Sequence, residues 1–278
     1  MLHNSSLTVS SAGTQKILLR DGAEINYRVN KGSGSGRFVL IHSLAMNLEF
    51  WEPVASLLSN TGDVLLYDCR GHGQSSLEGV PFSVEQFADD LDQVLSALGW
   101  EDVIVVGASM GGCVAIAFAI AYPSKLRGLG LIDTTASYGE KAPEQWEERA
   151  QKAIDNGLLS LVAFQRTRWF SSQFAEANPD IVEAAVEVFL ANDVQSYAAT
   201  CRMLGRVNKT DRLGEIVAPT VILVGSDDFA TPLPMAEAMR RAIPGARLIV
   251  LDGAAHLTPL ERPGDVGRAL LDLAEAAR

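Results

Sequence analysis

The chain has 278 residues, 47% of them hydrophobic and 21% charged, which excludes a disordered polymer. That length fits one large α/β domain with an insertion as well as it fits two domains. The formal charge of −11 opposes a phosphate-binding surface, so neither nucleic acid nor an anionic membrane is an expected partner. A local cluster of arginines can still hold a small anion.

Cys69, Cys113 and Cys201 are too few and too scattered for a disulfide framework or a zinc site. Three reduced thiols and no metal are expected. The leader Met1–Ser6 lacks the basic and then apolar stretch of a secretory signal. The best apolar run, Cys113–Ala121, is about half of what a bilayer requires. A cytoplasmic protein is the resulting expectation.

In chain order, Lys16–Arg20 and Glu24–Val29 read as two strands joined at Asp21-Gly22, an antiparallel hairpin. A glycine-serine turn over 31–36 feeds the apolar run Phe38–Ile41. Further short runs follow at Val64–Tyr67, Val103–Val106, Leu129–Ile132, Val221–Val224 and Leu248–Leu251. Runs this short, β-branched and unbroken by polar residues predict strands covered on both faces. Between them, Ser83–Leu98 begins with the capping pattern Ser83-x-x-Gln86 and spaces Phe87, Leu91, Val94 and Leu98 as a helix does. Alternating strands and helices predict a mostly parallel, doubly wound sheet with an antiparallel hairpin at one edge.

The alternation stops between about Ala136 and Ile216, where the sequence reads as all-helical. The predicted organisation is therefore a core over 1–136 and 216–278 with a helical cap over 137–215. A cap inserted after a sheet strand makes a lid for a site.

The segment Val103–Gly112 is a strand running into Gly107-Ala108-Ser109-Met110-Gly111 and then an apolar helix over Met110–Tyr122. A serine held on so sharp a turn has strained backbone angles, and side chains at the flanking glycines would strike the adjoining strand and helix. Ser109 is therefore the candidate nucleophile. The helix behind it aims its N-terminal amides at developing negative charge. Such a hydroxyl requires a base. With the order nucleophile, acid, base, His256 qualifies among His3, His42, His72 and His256. The acid lies at Asp227 or Asp228 after the run Val221–Val224, or at Asp133 after the run Leu129–Ile132. One oxyanion donor is expected at the Met110 amide and the second in His42-Ser43-Leu44, at the Leu44 amide. His42 reads as a hydrogen-bonded packing residue. Asp68-Cys69-Arg70-Gly71-His72-Gly73 reads as a structural loop tied by Asp68 and Arg70.

Together these motifs resemble the α/β-hydrolase superfamily, and within it the 3-oxoadipate enol-lactone hydrolases. The resemblance rests also on Ser43-Leu44 followed by Phe50-Trp51, the Trp146 region, Arg168-Trp169-Phe170, Tyr197–Cys201, Asp228-x-x-Thr231-Pro232 and Ala255-His256. The chain departs from that family's pattern at His42, Ala45 and Asn47, positions expected at the pocket mouth. The resemblance implies Asp228 as the acid, since Asp-x-x-Thr-Pro is the spacing at this loop. It also implies a cofactor-free Ser109–His256–Asp228 hydrolase that opens an enol-lactone in aromatic catabolism through an acyl-enzyme. Such a substrate carries a carboxylate, for which Arg166, Arg168 and Arg202 are the candidate cations, ahead of Lys209. Trp51 and Trp169 are candidate substrate contacts. A monomer or homodimer acting on a small ester or lactone is expected. Rivals within the fold are a general carboxylesterase, a C–C bond hydrolase and a cofactor-free haloperoxidase. Outside enzymes, a triad-bearing ligand receptor is the rival, separable by turnover.

Overall fold

The apolar runs assemble into one eight-stranded sheet in a computed structural model that describes residues 13–77 and 81–278. The leader Met1–Ser6 and His3 lie outside the described residues. The strands are β1 (Gln15–Leu18), β2 (Glu24–Asn30), β3 (Gly36–Ile41), β4 (Gly62–Tyr67), β5 (Val103–Ala108), β6 (Leu126–Ile132), β7 (Thr220–Gly225) and β8 (Arg247–Leu251). Their spatial order is β1-β2-β4-β3-β5-β6-β7-β8. β1 and β2 form the expected antiparallel hairpin, and β2 also runs antiparallel to β4. Every other pairing is parallel.

This order fixes where a site can form. The chain lays β4 on one side of β3 and then returns to lay β5 on the other. The loops leaving β3 and β5 therefore diverge, and they open a crevice above the carboxyl ends of those strands. His42–Leu44 follows β3 there, and Ser109 follows β5.

Every residue of β5 and of β7 is buried, as runs covered on both faces require. β8 departs from that expectation. It has a neighbour on one side only, none of its residues is fully buried, and Val250 is open to solvent. Its apolar run reflects one covered face at a sheet edge.

The helices flanking the sheet are α1 (Glu52–Leu58), α2 (Val84–Leu98) and α3 (Met110–Ala121). Ser83 caps α2 by accepting the Gln86 N–H at 3.1 Å, and the helix ends on Gly99 in the left-handed conformation. α3 is buried all round from Met110 to Ala119, which explains its uniformly small and apolar sequence.

A helical insertion separates β6 from β7. It comprises α4 (Ala142–Asn156), α5 (Val162–Trp169), α6 (Ser172–Ala177), α7 (Pro179–Leu190) and α8 (Val194–Arg206). Its entrance and exit run side by side. An antiparallel bridge joins Ser137 to Asn208, and the Lys209 N–H donates to the Ala136 carbonyl at 2.9 Å. After β7 come α9 (Leu233–Ala242), α10 (Thr258–Glu261) and α11 (Pro263–Ala276), with β8 between the first two. Among the described residues no helix is long and apolar enough to cross a membrane. The three cysteines are free and buried.

Candidate active site

Ser109 stands between β5 and α3 at φ +52°, a conformation that L-residues rarely adopt. The turn is too tight for side chains beside it. A Cβ on Gly107 would lie 2.0 Å from the Gly111 carbonyl oxygen, and one on Gly111 would lie 2.2 Å from that of Ile41. The strain is held from the neighbouring strand. The Ser109 N–H donates to the Ile132 carbonyl at 2.9 Å, and the Thr134 hydroxyl donates to the Ser109 carbonyl at 2.6 Å.

The loop after β8 brings His256 over this turn, with its Nε2 2.9 Å from the Ser109 hydroxyl. The loop after β7 supplies Asp228, whose Oδ2 lies 2.8 Å from His256 Nδ1. Asp228 also accepts the Ala230 and Thr231 N–H groups at 2.7 and 3.0 Å and the Thr231 hydroxyl at 2.8 Å. Burial pushes its carboxyl up, but His256 and these donors outweigh burial and hold it at about 2. The other two aspartates weighed for this place are elsewhere. Asp227 accepts the exposed Ser226 hydroxyl. Asp133 is fully buried and accepts from Gly225 N–H and from Thr258 N–H and Oγ–H. Burial first, and then the charge of Asp228, raise the Asp133 carboxyl well above its ordinary value.

The Met110 amide is the first of α3 and so has no intrahelical acceptor by position. Leu44 lines the same cavity as Ser109, and among the described residues its N–H donates to no backbone acceptor. Both amides are therefore available to an oxyanion at Ser109. His42 props the Leu44 loop from beneath, as its reading as a packing residue anticipates. Its Nδ1 donates to the Ser43 carbonyl at 2.8 Å and its Nε2 accepts the Cys69 N–H at 2.9 Å. The ring is wholly buried. Asp68 and Arg70 tie the adjoining loop: Asp68 accepts from Leu48, Gln74 and Asn26, and Arg70 pairs with Asp90 and Asp21.

A cavity of about 490 Å³ opens above Ser109 and His256, between the core and the insertion. Of the expected substrate contacts, Arg168 and Trp169 line it. Three others do not. Trp51 is buried in the core, edge-on to Phe50. Arg166 spends its guanidinium on Glu183, and Arg202 on Glu147. The reason is helix phase. On α5, Gln165, Arg168 and Trp169 share one face by their i, i+3, i+4 spacing, and Arg166 is turned about 100° from Gln165. Lys209 is likewise paired, with Glu85. Nor do the departures from the family pattern lie at this cavity. His42 is under it, Ala45 is buried at φ +58° with its carbonyl bound by Asn192, and Asn47 caps the helical turn after β3.

Arg149 is the cation that sequence reasoning missed. It stands on α4 beside Trp146 and lines the cavity, its Nε donating to the Tyr197 hydroxyl at 2.7 Å. Its guanidinium carbon lies 4.9 Å from the centroid of Trp146. Among the described residues neither Arg149 nor Arg168 has a carboxylate within ion-pair distance. Burial first, and next the like charge of Arg149, lower the Arg168 guanidinium from its ordinary value. The signal for Arg149 was its i, i+3 spacing from Trp146. The run Glu147-Glu148-Arg149 hid it, because it reads as a solvated face. Tyr138 also lines the cavity, and burial raises its phenol well above the ordinary value, so it is a donor at neutral pH.

Residues 36–263 match the family described as alpha/beta hydrolase fold. The chain is 30% identical to 3-oxoadipate enol-lactonase 1 of Acinetobacter baylyi, over 88% of this chain and 90% of that one. The crystal structure of the enol-lactonase from Burkholderia xenovorans superposes with a TM-score of 0.90 at 28% identity, covering 94% of this chain and all of the other. A thermophilic esterase from Thermogutta terrifontis, in a malate-bound structure, superposes with a TM-score of 0.87 at 29% identity, over 96% and 99% of the two chains.

Proposed function

The chain belongs to the α/β-hydrolase fold family, and from that membership we propose that it is a serine hydrolase of anionic lactones or esters, with an enol-lactone bearing a free carboxylate as its substrate class. One observation carries the reading. The Ser109–His256–Asp228 relay opens into a cavity whose wall presents Arg149 and Arg168 without carboxylate partners. Two half-buried guanidinium groups of like charge, neither paired with a carboxylate, favour a ligand that supplies the countercharge. The relatives support the same class: two are enol-lactonases, and the related esterase is described as malate-bound.

The steps follow from the atoms. Ser109 Oγ attacks the lactone carbonyl while His256 Nε2 takes its proton. Asp228 holds the Nδ1–H and stabilises the imidazolium. The Met110 and Leu44 amides receive the oxyanion, each lowering the barrier by about 3–4 kcal/mol. Collapse breaks the ring C–O bond, and His256 returns the proton to the departing enolate. The opened chain stays attached as the acyl-enzyme. Water then attacks the acyl carbon with His256 again as base, and Ser109 leaves.

Steady-state kinetics on a carboxylated enol-lactone, a neutral lactone and p-nitrophenyl esters tests this. The carboxylated substrate is expected to have the highest kcat/KM, and Ser109→Ala to lower kcat about 10⁴-fold or more. Full turnover by Ser109→Ala would falsify the proposal.

A further inference from the structure

Both chain neighbours of His256 are bonded to one strip of the insertion, or through one side chain to it. The Leu257 N–H donates to the Trp169 carbonyl at 2.9 Å. The Ala255 N–H donates to Glu261 Oε2 at 3.1 Å, and the same oxygen accepts the Ser171 N–H at 3.2 Å. Glu261 Oε1 accepts the Ser171 hydroxyl at 2.5 Å. Glu261 is the last residue of α10 and is almost fully buried, so its carboxylate is satisfied by these donors rather than by water. The strip reaches the acid too: Arg168 Nη2 donates to the carbonyl of Phe229, next to Asp228, at 2.6 Å.

We propose that Glu261 is a positioning residue for His256, seating the strip Arg168–Ser171 so that the docked insertion sets where the imidazole stands over Ser109. The proposal rests on the hydrolase reading above. Its geometry is one of shared atoms. A single carboxylate oxygen holds the backbone on the N-terminal side of the base and the backbone of the insertion. Ala254 and Ala255 have no long side chains to fix the loop, so hydrogen bonds must do so. The loop is also tied by the Asp227 N–H donating to the Ala254 carbonyl at 2.9 Å and by Thr258 donating to Asp133, but neither bond reaches the insertion. Arg168 and Trp169 line the cavity and belong to the same strip, so a ligand pressed against them bears on the position of the base. Base placement, not affinity, is therefore what Glu261 controls.

The test uses Glu261→Gln, which keeps the shape but replaces one accepting oxygen by a donor, and the milder Ser171→Ala, which removes one hydroxyl. A neutral p-nitrophenyl ester is the substrate, and a fluorophosphonate reports Ser109 capture. Glu261→Gln is expected to lower kcat about 10- to 100-fold with KM within about twofold, the size of effect that a misplacement near 1 Å produces. Ser171→Ala is expected to lower kcat by about 3- to 10-fold, and the double variant to be no slower than Glu261→Gln, because both act through one contact. Capture rates should fall in step with kcat. Wild-type kcat and capture rate in Ser171→Ala and in folded Glu261→Gln overturn the proposal, as does a change confined to KM. Should Glu261→Gln fail to fold, Ser171→Ala decides alone. A wild-type protein that the fluorophosphonate does not capture at Ser109 overturns the hydrolase reading instead.

Discussion

Arg149 and Arg168 converge on a single ring, with guanidinium carbons 5.7 and 4.8 Å from the centroid of Phe164. They come from different helices, α4 and α5, and a ring within cation–π reach of both offsets part of their repulsion. An anion entering the cavity meets both.

Replacing Arg149 or Arg168 by alanine should therefore discriminate between substrates. A charge-assisted hydrogen bond is worth about 1.5–3 kcal/mol, so kcat/KM for a carboxylated lactone should fall about 10- to 100-fold. For a neutral aryl ester the fall should stay within about threefold. Parallel kinetics on the two substrates measure this, and equal losses would assign the arginines to packing.

Asp228→Asn should keep the fold and lose the chemistry. The amide oxygen still accepts from Ala230 and Thr231, but its NH₂ group faces His256 Nδ1. That forces the imidazole proton onto Nε2, which then cannot take the Ser109 proton. A drop in kcat of about 10⁴-fold with an unchanged melting temperature is expected.

Two buried histidines should make stability depend on pH. Burial lowers His42 from 6.5 to about 4, and burial with the neighbouring His42 lowers His72 to about 3. Each is a base held neutral, so the unfolded chain binds more protons. Its contribution is complete above about pH 6.5 and is lost as pH falls toward the folded value. Each histidine should add about 1.4 kcal/mol per pH unit of slope between about pH 6 and 4. Raised carboxyls such as Asp133 titrate in the opposite sense, so the informative quantity is a difference. Urea midpoints across that range should show a shallower slope for His72→Gln than for the wild type.

Asp90→Ala should be among the costly substitutions outside the site. Arg70 and Asp90 are both buried and doubly hydrogen-bonded, at 2.9 and 2.7 Å. Removing the carboxylate leaves a buried guanidinium with only the half-exposed Asp21, a loss of about 3–5 kcal/mol. Denaturant unfolding checks the size, and a shift under about 1 kcal/mol would place Arg70 in contact with water.

Local chemistry alone determined much of this protein. Short apolar runs specify strands, Ser83-x-x-Gln86 caps a helix, and Gly107 is required by its contact with Gly111 in the same turn, whereas Gly111 is required by the end of β3. Ser109 and His256 were legible for the same reason, because each sits at the end of a strand whose pattern announces it; for the acid, local pattern left Asp227, Asp228 and Asp133 open, and the family's Asp-x-x-Thr-Pro spacing pointed to Asp228. Tertiary structure decided the rest. Which face of α5 meets the cavity separates Arg168 from Arg166, and the packing of α4 against α8 turns Arg149 inward while Arg202 stays with Glu147. Side chains far apart in sequence acquire partners only when helices dock, so the lining of a cavity between two layers cannot be read from spacing. The same holds for Glu261, whose carboxylate joins nearby Ala255 to Ser171, 90 residues from Glu261 in the chain.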